Sequence, residues 1–468
     1  MNSEAVDNNG YTLDEALEVV GFGKFQALVL AYAGLGIMAE SMELMILSFI
    51  GPSVKDEWGL SSGQESLITT VVFLGMLMYS SNNTLKRNMS YWIGLVSVAV
   101  VTSIFAFVSA LAPNYILLVV CRMIVGIGLG GGPVYAAWYI EFVPVQNRGV
   151  CMVIYSTFWT IGSILEALLA WIVMPIMGWR WLLAFSSLPC FALFIFYFLT
   201  IESPRYLCLK GKIGDAHNVL KKVAEINKTE LPPGSLVYHQ ISENTPLLSA
   251  TNPKPGSSSF FTLLSPSLLR TSLLMWVVFF GNAFVYFGVI LMIPELTSVK
   301  RKCGAVVLNP NTLANSILYK NVFISSFAEV PGLILSAALV DKFGRRISMM
   351  ILYLIGFLCF LPLIFDQYEL IKTTLFFGVR MCITGNYKLA TIYCPEVYPT
   401  SVRAMGVGVA TAVGKVAGMI CPLVAVDLVS GCHQKVAIGI FEVIIILSGI
   451  SVLLFPVETK GRKLIDNV

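Results

Sequence analysis

Charge is what this sequence has least of. Only 12% of its residues are Asp, Glu, Lys or Arg, and it contains three histidines. A soluble domain of ordinary composition carries about twice that share of charge, so a water-soluble globular fold is excluded. The ten cysteines form no Cys-x-x-Cys or Cys/His metal spacing, and most lie in apolar runs, where a thiol behaves as a small hydrophobe. No metal and no cofactor are expected. The glycines of 126–132 sit inside an apolar run rather than after a strand, so they cradle no nucleotide phosphate. No hydrolytic constellation is present, and a net charge of +4 gives no reason to expect nucleic acid. An enzyme is therefore not expected. Residues 1–25 are polar and acidic (Glu4, Asp7, Asp14, Glu15, Glu18) without a basic start, so no cleavable signal peptide is expected.

What is present in excess is apolar length. Of the 468 residues, 56% are hydrophobic, and the mean hydropathy is +0.79. The first long run, 26–50, suffices to cross a hydrocarbon core of ~30 Å at about 1.5 Å per residue. Eleven more follow at 65–79, 91–111, 115–142, 150–174, 181–200, 271–296, 320–340, 347–365, 371–394, 404–429 and 435–456. These are numbered here as spans one to twelve. Span two is short by this reading. The only long polar stretch, 201–270, begins with helical patterning to about 228 and continues, over 231–259, with Pro, Ser, Asn and Gly typical of a disordered linker. The expectation is an all-α membrane protein. Its parts are an N-terminal segment (1–25), a six-helix bundle (26–200), the linker (201–270), a second six-helix bundle (271–456) and a tail (457–468).

Connectors on one side are basic: Lys86 and Arg87, Arg148, the linker, Lys342 with Arg345 and Arg346, Arg403, and Lys460, Arg462 and Lys463 in the tail. By the positive-inside rule that side and both termini are cytosolic; Lys300, Arg301 and Lys302 after span seven run against the pattern. The halves also repeat each other. Glu141-x-x-Pro144-x-x-x-Arg148 closes span four, and Glu396-x-x-Pro399-x-x-x-Arg403 closes span ten about 255 positions later. Arg122-Met-x-x-Gly126 and Arg380-Met-x-x-x-Gly385 lie inside the same two spans. Parallel halves joined by a linker are the plan of carriers that rock about a site at the midplane.

Ionisable residues inside the spans cost about 2.5 kcal/mol or more each at membrane depth, so they face a bundle interior, a partner or water. Glu40 and Glu43, three apart in span one, share a helix face. Arg122, Glu166, Glu329, Arg380, Lys388, Lys415 and Glu442 complete the set. Lys415, flanked by small residues in Val413-Gly-Lys-Val-Ala-Gly418, is expected to face a cavity; the plainer account is a silent pair with Glu40 or Glu43. Glu166 either lines the path or binds a neighbouring hydroxyl, and Asn282 is either a polar contact or an interhelical hydrogen bond. Among the aromatics Trp138, Trp159, Trp276, Phe280, Tyr286, Tyr387 and Tyr393, most are packing residues and a few are placed to sandwich a flat ring.

At these motifs the chain resembles the major facilitator superfamily over nearly its whole length. Asp341-Lys-Phe-Gly344-Arg345-Arg346 is similar to that superfamily's loop signature, and Glu202-Ser-Pro-Arg205 to its sugar and organic-ion signature. Gly21-Phe-Gly-Lys-Phe-Gln, Ala39-Glu-Ser-Met-Glu, Gly130-Gly-Gly-Pro, Gly178-Trp-Arg-Trp-Leu-Leu-Ala-Phe-Ser-Ser and Val277-Val-Phe-Phe-Gly-Asn-Ala-Phe resemble the plant organic cation/carnitine transporters, in the branch similar to bacterial nicotinate carriers of the NiaP type. The resemblance implies twelve transmembrane helices in two pseudo-symmetric halves, the major facilitator fold. It implies gating roles for Glu141, Arg148, Glu202, Arg205, Asp341, Gly344, Arg345, Arg346, Glu396 and Arg403. It departs in one place: the position of the first-half loop signature, 84–89, reads Thr-Leu-Lys-Arg-Asn-Met, without the acid and the glycine.

Relatives that carry organic anions commonly bear a cation on span eleven, and organic-cation relatives an acid. Lys415 therefore points to an anionic substrate, with Lys388 as the alternative partner and Glu40 or Glu43 as the proton-coupling carboxylate. Arg122 resembles the superfamily arginine that tunes such a carboxylate, or is a structural pair. The function expected is secondary transport of a small organic ion by alternating access, proton-coupled, with an aromatic monocarboxylate such as nicotinate as the guest. The rivals are an organic cation/carnitine carrier using Glu40, Glu43 and Glu166, and a relative that no longer transports because of the altered loop. The expected setting is multi-pass in the plasma membrane or a vacuolar or endomembrane, as a monomer. Glu243-x-x-x-Leu247-Leu248 has the form read by sorting adaptors; Cys303 and Cys432 are a candidate disulfide; the sequons at Asn82, Asn88 and Asn227 fall on the cytosolic side.

Overall fold

The computed structural model describes residues 10–81, 91–237, 259–299, 312–365, 367–399 and 402–459. The 84–89 loop, Glu243, Leu247, Leu248, Cys303, Asn82, Asn88 and the tail beyond 459 lie outside the described residues.

Every apolar run becomes helix, because in hydrocarbon a chain must satisfy each peptide group within its own segment. Span one is Lys24–Met45 continued by Leu47–Trp58. Its end, expected at 50, comes eight residues later, where Gly59 turns the chain with φ 62°. Span two is Ser62–Ser81, a 20-residue helix that begins three residues before the expected start. Spans three to six are Tyr91–Ala110, Tyr115–Leu129 with Gly132–Ile140, Arg148–Met177, and Trp179–Ser186 with Leu188–Ile195. Spans seven to nine are Leu269–Val299, Thr312–Ser326 with Glu329–Phe343, and Arg345–Phe360. Spans ten to twelve are Glu369–Val397, Arg403–Pro422 and Gln434–Leu453. Large apolar side chains stay exposed along their outer faces, for example Ile172, Ile176, Leu354 and Leu358, as a lipid-facing belt requires.

In the first half span two packs on four, three on four and one on five; in the second, seven on eleven, nine on ten and seven on twelve. The halves meet through spans two and eleven and through five and eight. Ser66 Oγ donates to the Pro422 carbonyl at 3.1 Å and Thr70 Oγ1 to that of Met419 at 3.0 Å. Phe49 lies against Tyr319, Phe73 against Phe287 and Trp171 against Phe323. These contacts lie toward the face opposite the basic connectors, called the far face below.

On the basic face the linker's first part is helical, as its patterning implies, and order extends a little further. Pro204–Leu209 and Ile213–Asn227 are helices, and Ser235–Leu236 pairs in parallel with Gly10–Tyr11 of the N-terminal segment. Thr12 and Glu15 cap each other's backbone N–H at the start of helix Leu13–Val20. That helix buries Leu13, Ala16 and Leu17 against Cys208, Ala216, Leu220 and Leu236. The composition of 231–237 gave no sign of this, since its order comes from a strand far away in sequence. Residues 238–258 lie outside the described residues.

Candidate functional site

The costly residues of the spans sort into two groups. Spans four and ten each carry a fully buried arginine, and each finds an acid. Arg122 Nη1 bonds Glu43 Oε2 at 2.8 Å and its other nitrogen donates to Ser109 Oγ; Arg380 bonds Glu329 Oε1 at 2.8 Å. All four side chains are closed to solvent. Glu166 accepts the Ser186 hydroxyl at 2.7 Å, the plainer of its two accounts. Asn282 accepts the Tyr353 hydroxyl at 2.8 Å, again an interhelical bond. Glu442 is buried, and neither of its oxygens is hydrogen-bonded among the described residues.

Glu40 belongs to the second group. Although three residues from Glu43, it turns away from Arg122. It reaches across the interface toward Lys415 of the other half, close enough for the ammonium to act on it electrostatically. Its carboxylate occupies the space a Cβ at position 132 of span four would take, so a side chain there would push Glu40 aside. Tyr135, Tyr155 and Tyr387 all lie within electrostatic reach of Glu40. Behind it, Gly36, Thr102, Tyr135 and Cys190 help line a cavity of about 10 Å³, room for one water at most. Glu40 and Lys415 are both half-buried and face each other across the two halves.

Beside this pair stands an aromatic wall. Tyr286 stacks near Tyr387 with ring centroids 6.4 Å apart. The Tyr286 hydroxyl accepts from Trp159 Nε1 at 3.0 Å and donates to Glu329 at 2.8 Å, tying the wall to the Arg380 pair. Lys388, also half-buried, is within electrostatic reach of Glu329, and among the described residues its ammonium makes no hydrogen bond or ion pair. Of the other aromatics, Trp138 donates to the Ile201 carbonyl and Tyr393 to that of Val457, so both are packing residues. The arrangement offers one acid, two amines and flat apolar walls: enough to bind a small charged ring and exchange a proton, and no nucleophile poised for covalent chemistry.

The residues expected to gate form matching clusters on the basic face. In the first half Glu141 takes Arg205 at 3.4 Å and the Ser203 hydroxyl at 3.2 Å. Asp14 of the N-terminal helix bridges Arg205 at 2.6 Å and Arg148 at 3.7 Å. In the second half Glu396 takes Arg345 at 2.9 Å and the Thr459 hydroxyl at 2.5 Å. Glu458 caps the N–H groups of Arg345 and Arg346, where Gly344 sits at φ 88°. Arg346 also reaches the Leu453 carbonyl, and Arg403 that of Tyr398. Glu202 borders this cluster and Asp341 lies one turn before Gly344. Asp14 was missed in the sequence because it lies in no motif. On the far face Cys432 is disulfide-bonded. A group there also went unread, Lys55, Glu65 and Glu295, although acids and amines at span ends were the available signal.

The sequence pattern described as sugar (and other) transporter matches residues 53–467. The chain is 49% identical to organic cation/carnitine transporter 7 of Arabidopsis thaliana over 98% of its own length and 97% of that protein. It is 34% identical to the synaptic vesicle 2-related protein of Rattus norvegicus, covering 97% of this chain and 82% of the other. The xylose transporter XylE from E. coli, in a partially occluded inward-open conformation, superposes with a TM-score of 0.71 at 17% identity, over 94% of this chain and all of that one.

Proposed function

The chain belongs to the sugar (and other) transporter family of the major facilitator superfamily, and from that premise we propose that it couples a proton to the movement of a small aromatic monocarboxylate such as nicotinate. The observation that carries this reading is the Glu40–Lys415 pair spanning the two halves. A carboxylate facing an ammonium shares its charge with it. When an anionic guest binds Lys415, with Lys388 as the alternative amine, Glu40 loses its partner and takes up a proton. Guest and proton then enter together, the loaded site is neutral, and the halves are free to rock. Tyr387 and Tyr286 supply the flat wall for the ring. The basic face is read as cytosolic, and the protein as a monomer in the plasma membrane or an endomembrane.

One observation favours a rival, carriage of an organic cation or carnitine: the name of the Arabidopsis thaliana relative. Two of the three acids that reading needs are already engaged, Glu43 by Arg122 and Glu166 by Ser186. Uptake into proteoliposomes separates the two. Nicotinate accumulation is expected to follow an imposed pH gradient and to exceed that of carnitine. Lys415→Met is expected to abolish it, while Glu40→Gln retains exchange and loses pH-driven accumulation. Carnitine uptake that survives Lys415→Met, with no nicotinate uptake in the parent, overturns the anionic reading.

A further inference from the structure

Spans one and four cross at two glycines, and each glycine carries a side chain of the other span. A Cβ at Gly36 would stand 2.8 Å from the Tyr135 ring, and one at Gly132 would fall on the Glu40 carboxylate. Gly36 and Glu40 are four apart on span one, and Gly132 and Tyr135 three apart on span four, so both side chains lie on the faces that meet. Both also line the small cavity behind Glu40, with Thr102 of span three and Cys190 of span six. Tyr135 is 2% exposed, and its hydroxyl has no hydrogen-bond partner among the described residues. Glu40 makes no hydrogen bond among them either. Thr102 spends its own hydroxyl hydrogen on the Val98 carbonyl at 2.7 Å, and a thiol is only a weak donor. A buried hydroxyl left without a partner is costly, so the place of Tyr135 needs a reason.

The proton on Glu40 supplies one. As a carboxylate Glu40 has only acceptors, and the Lys415 ammonium has only donors, so that pairing suits the charged form. As a neutral acid Glu40 also carries an O–H, which an ammonium has no lone pair to receive. A phenol both donates and accepts, so it can bond a neutral carboxyl. Tyr155 of span five and Tyr387 of span ten are phenols within electrostatic reach, but neither lines the cavity. Glu43, one turn along span one, is held by Arg122.

We propose, on the proton-coupled reading above, that this cavity is the seat of the neutral Glu40 side chain and that Tyr135 is the positioning residue that holds it there. Charged, Glu40 faces Lys415 of the other half. On taking a proton from solution it withdraws to Tyr135, which accepts the new O–H directly or through the single water the cavity has room for. The link across the halves is then broken, and the proton rides inside the first half, clear of the guest. Glycine at 36 and at 132 keeps the seat open.

The test is infrared difference spectroscopy of the full-length protein in lipid vesicles, taken between alkaline and acid buffer with no substrate present. A carboxyl C=O band that the parent shows and Glu40→Gln lacks belongs to neutral Glu40. In Tyr135→Phe, which removes only the hydroxyl, that band is expected to move to higher frequency as the carboxyl loses its hydrogen bond. Gly132→Ala, whose added carbon takes the carboxyl's place on span four, is a second variant with the same expectation. Tyr139→Phe removes another buried, unpartnered hydroxyl one turn further along span four, away from the cavity lining, and is expected to leave the band where it stands. Size-exclusion profiles confirm that each variant is folded. A band at the parent's frequency in Tyr135→Phe or in Gly132→Ala overturns the seat and leaves proton coupling standing. If no band is lost in Glu40→Gln, Glu40 takes up no proton, and the coupling reading falls together with the seat.

Discussion

Arg122 and Glu43 show how a single residue's role depends on its partner. Both are sealed from solvent, and their bond is supported by Ser109 on span three. Breaking a buried pair by removing one member leaves the other charge unpaired, at a cost of about 3–5 kcal/mol, whereas removing both is far milder. Arg122→Met is therefore expected to lower the thermal transition of the purified protein sharply and to cut its yield. Arg122→Met with Glu43→Gln is expected to recover much of the loss. Differential scanning fluorimetry on the three proteins checks this, and a double variant as unstable as the single one counts against it. The sequence marks Glu40, Glu43, Arg122, Glu329, Arg380 and Lys415 as costly, because charge in an apolar run is visible without a structure. It does not say who pairs with whom. Residues three apart on a helix diverge by about 60°, and at the edge between a half's interior and the cleft that angle separates Glu40, turned to Lys415, from Glu43, turned to Arg122.

At the scale of the helix, span two explains where the sequence misleads. It reads as 65–79, short for a crossing, and nothing in the sequence says what the polar residues at its start, Glu65, Ser66, Thr69 and Thr70, are for. In the structure those residues form the helix face that meets the other half: Ser66 and Thr70 bond carbonyls of span eleven, and Glu65 reaches Glu295. The polar start of the span is part of the interface itself. The glycine track of span four was readable as a site of close approach, but not its partner, which is span two. At Gly126 a Cβ would collide with the Val72 carbonyl, and at Gly75 with that of Met123. Backbone on both sides cannot give way as a flexible side chain can. Gly126→Ala is expected to cost about 1–3 kcal/mol or more by overpacking and to broaden or lose the monodisperse peak in fluorescence-detected size exclusion. Gly439→Ala, on span twelve with nothing within 4 Å of the added carbon, is the control expected to behave as the parent.

For the whole molecule, the balance between two arrangements of the halves matters more than the stability of either. The two-fold repeat of Glu-x-x-Pro-x-x-x-Arg foretold equivalent halves, and the basic-face ion pairs Glu141–Arg205 and Glu396–Arg345 each stay within one half. The bonds that join the halves, Ser66 to Pro422, Thr70 to Met419 and Lys55 to Ser430, lie toward the far face. This is the arrangement shut on that side, and it depends on how closely span two lies against span eleven. Gly418 sets that distance: a Cβ there would stand 2.6 Å from the Phe73 ring, which is itself held by Phe287 at 4.7 Å between centroids. The three atoms nearest a Cβ at 418 all belong to Phe73 of the other half, so a branched side chain there penalises the shut arrangement. Overpacking of about 1–3 kcal/mol, applied to one of two states, shifts their ratio by about 5- to 150-fold. Gly418→Val is therefore expected to yield a folded protein with ordinary size-exclusion behaviour and, when combined with Tyr319→Cys at the far-face contact with Phe49, to react readily with a membrane-impermeant maleimide. It is expected to bind ligand from the far side and to lose net uptake. Uptake at the parent's rate would show that spans two and eleven do not close on each other during the cycle.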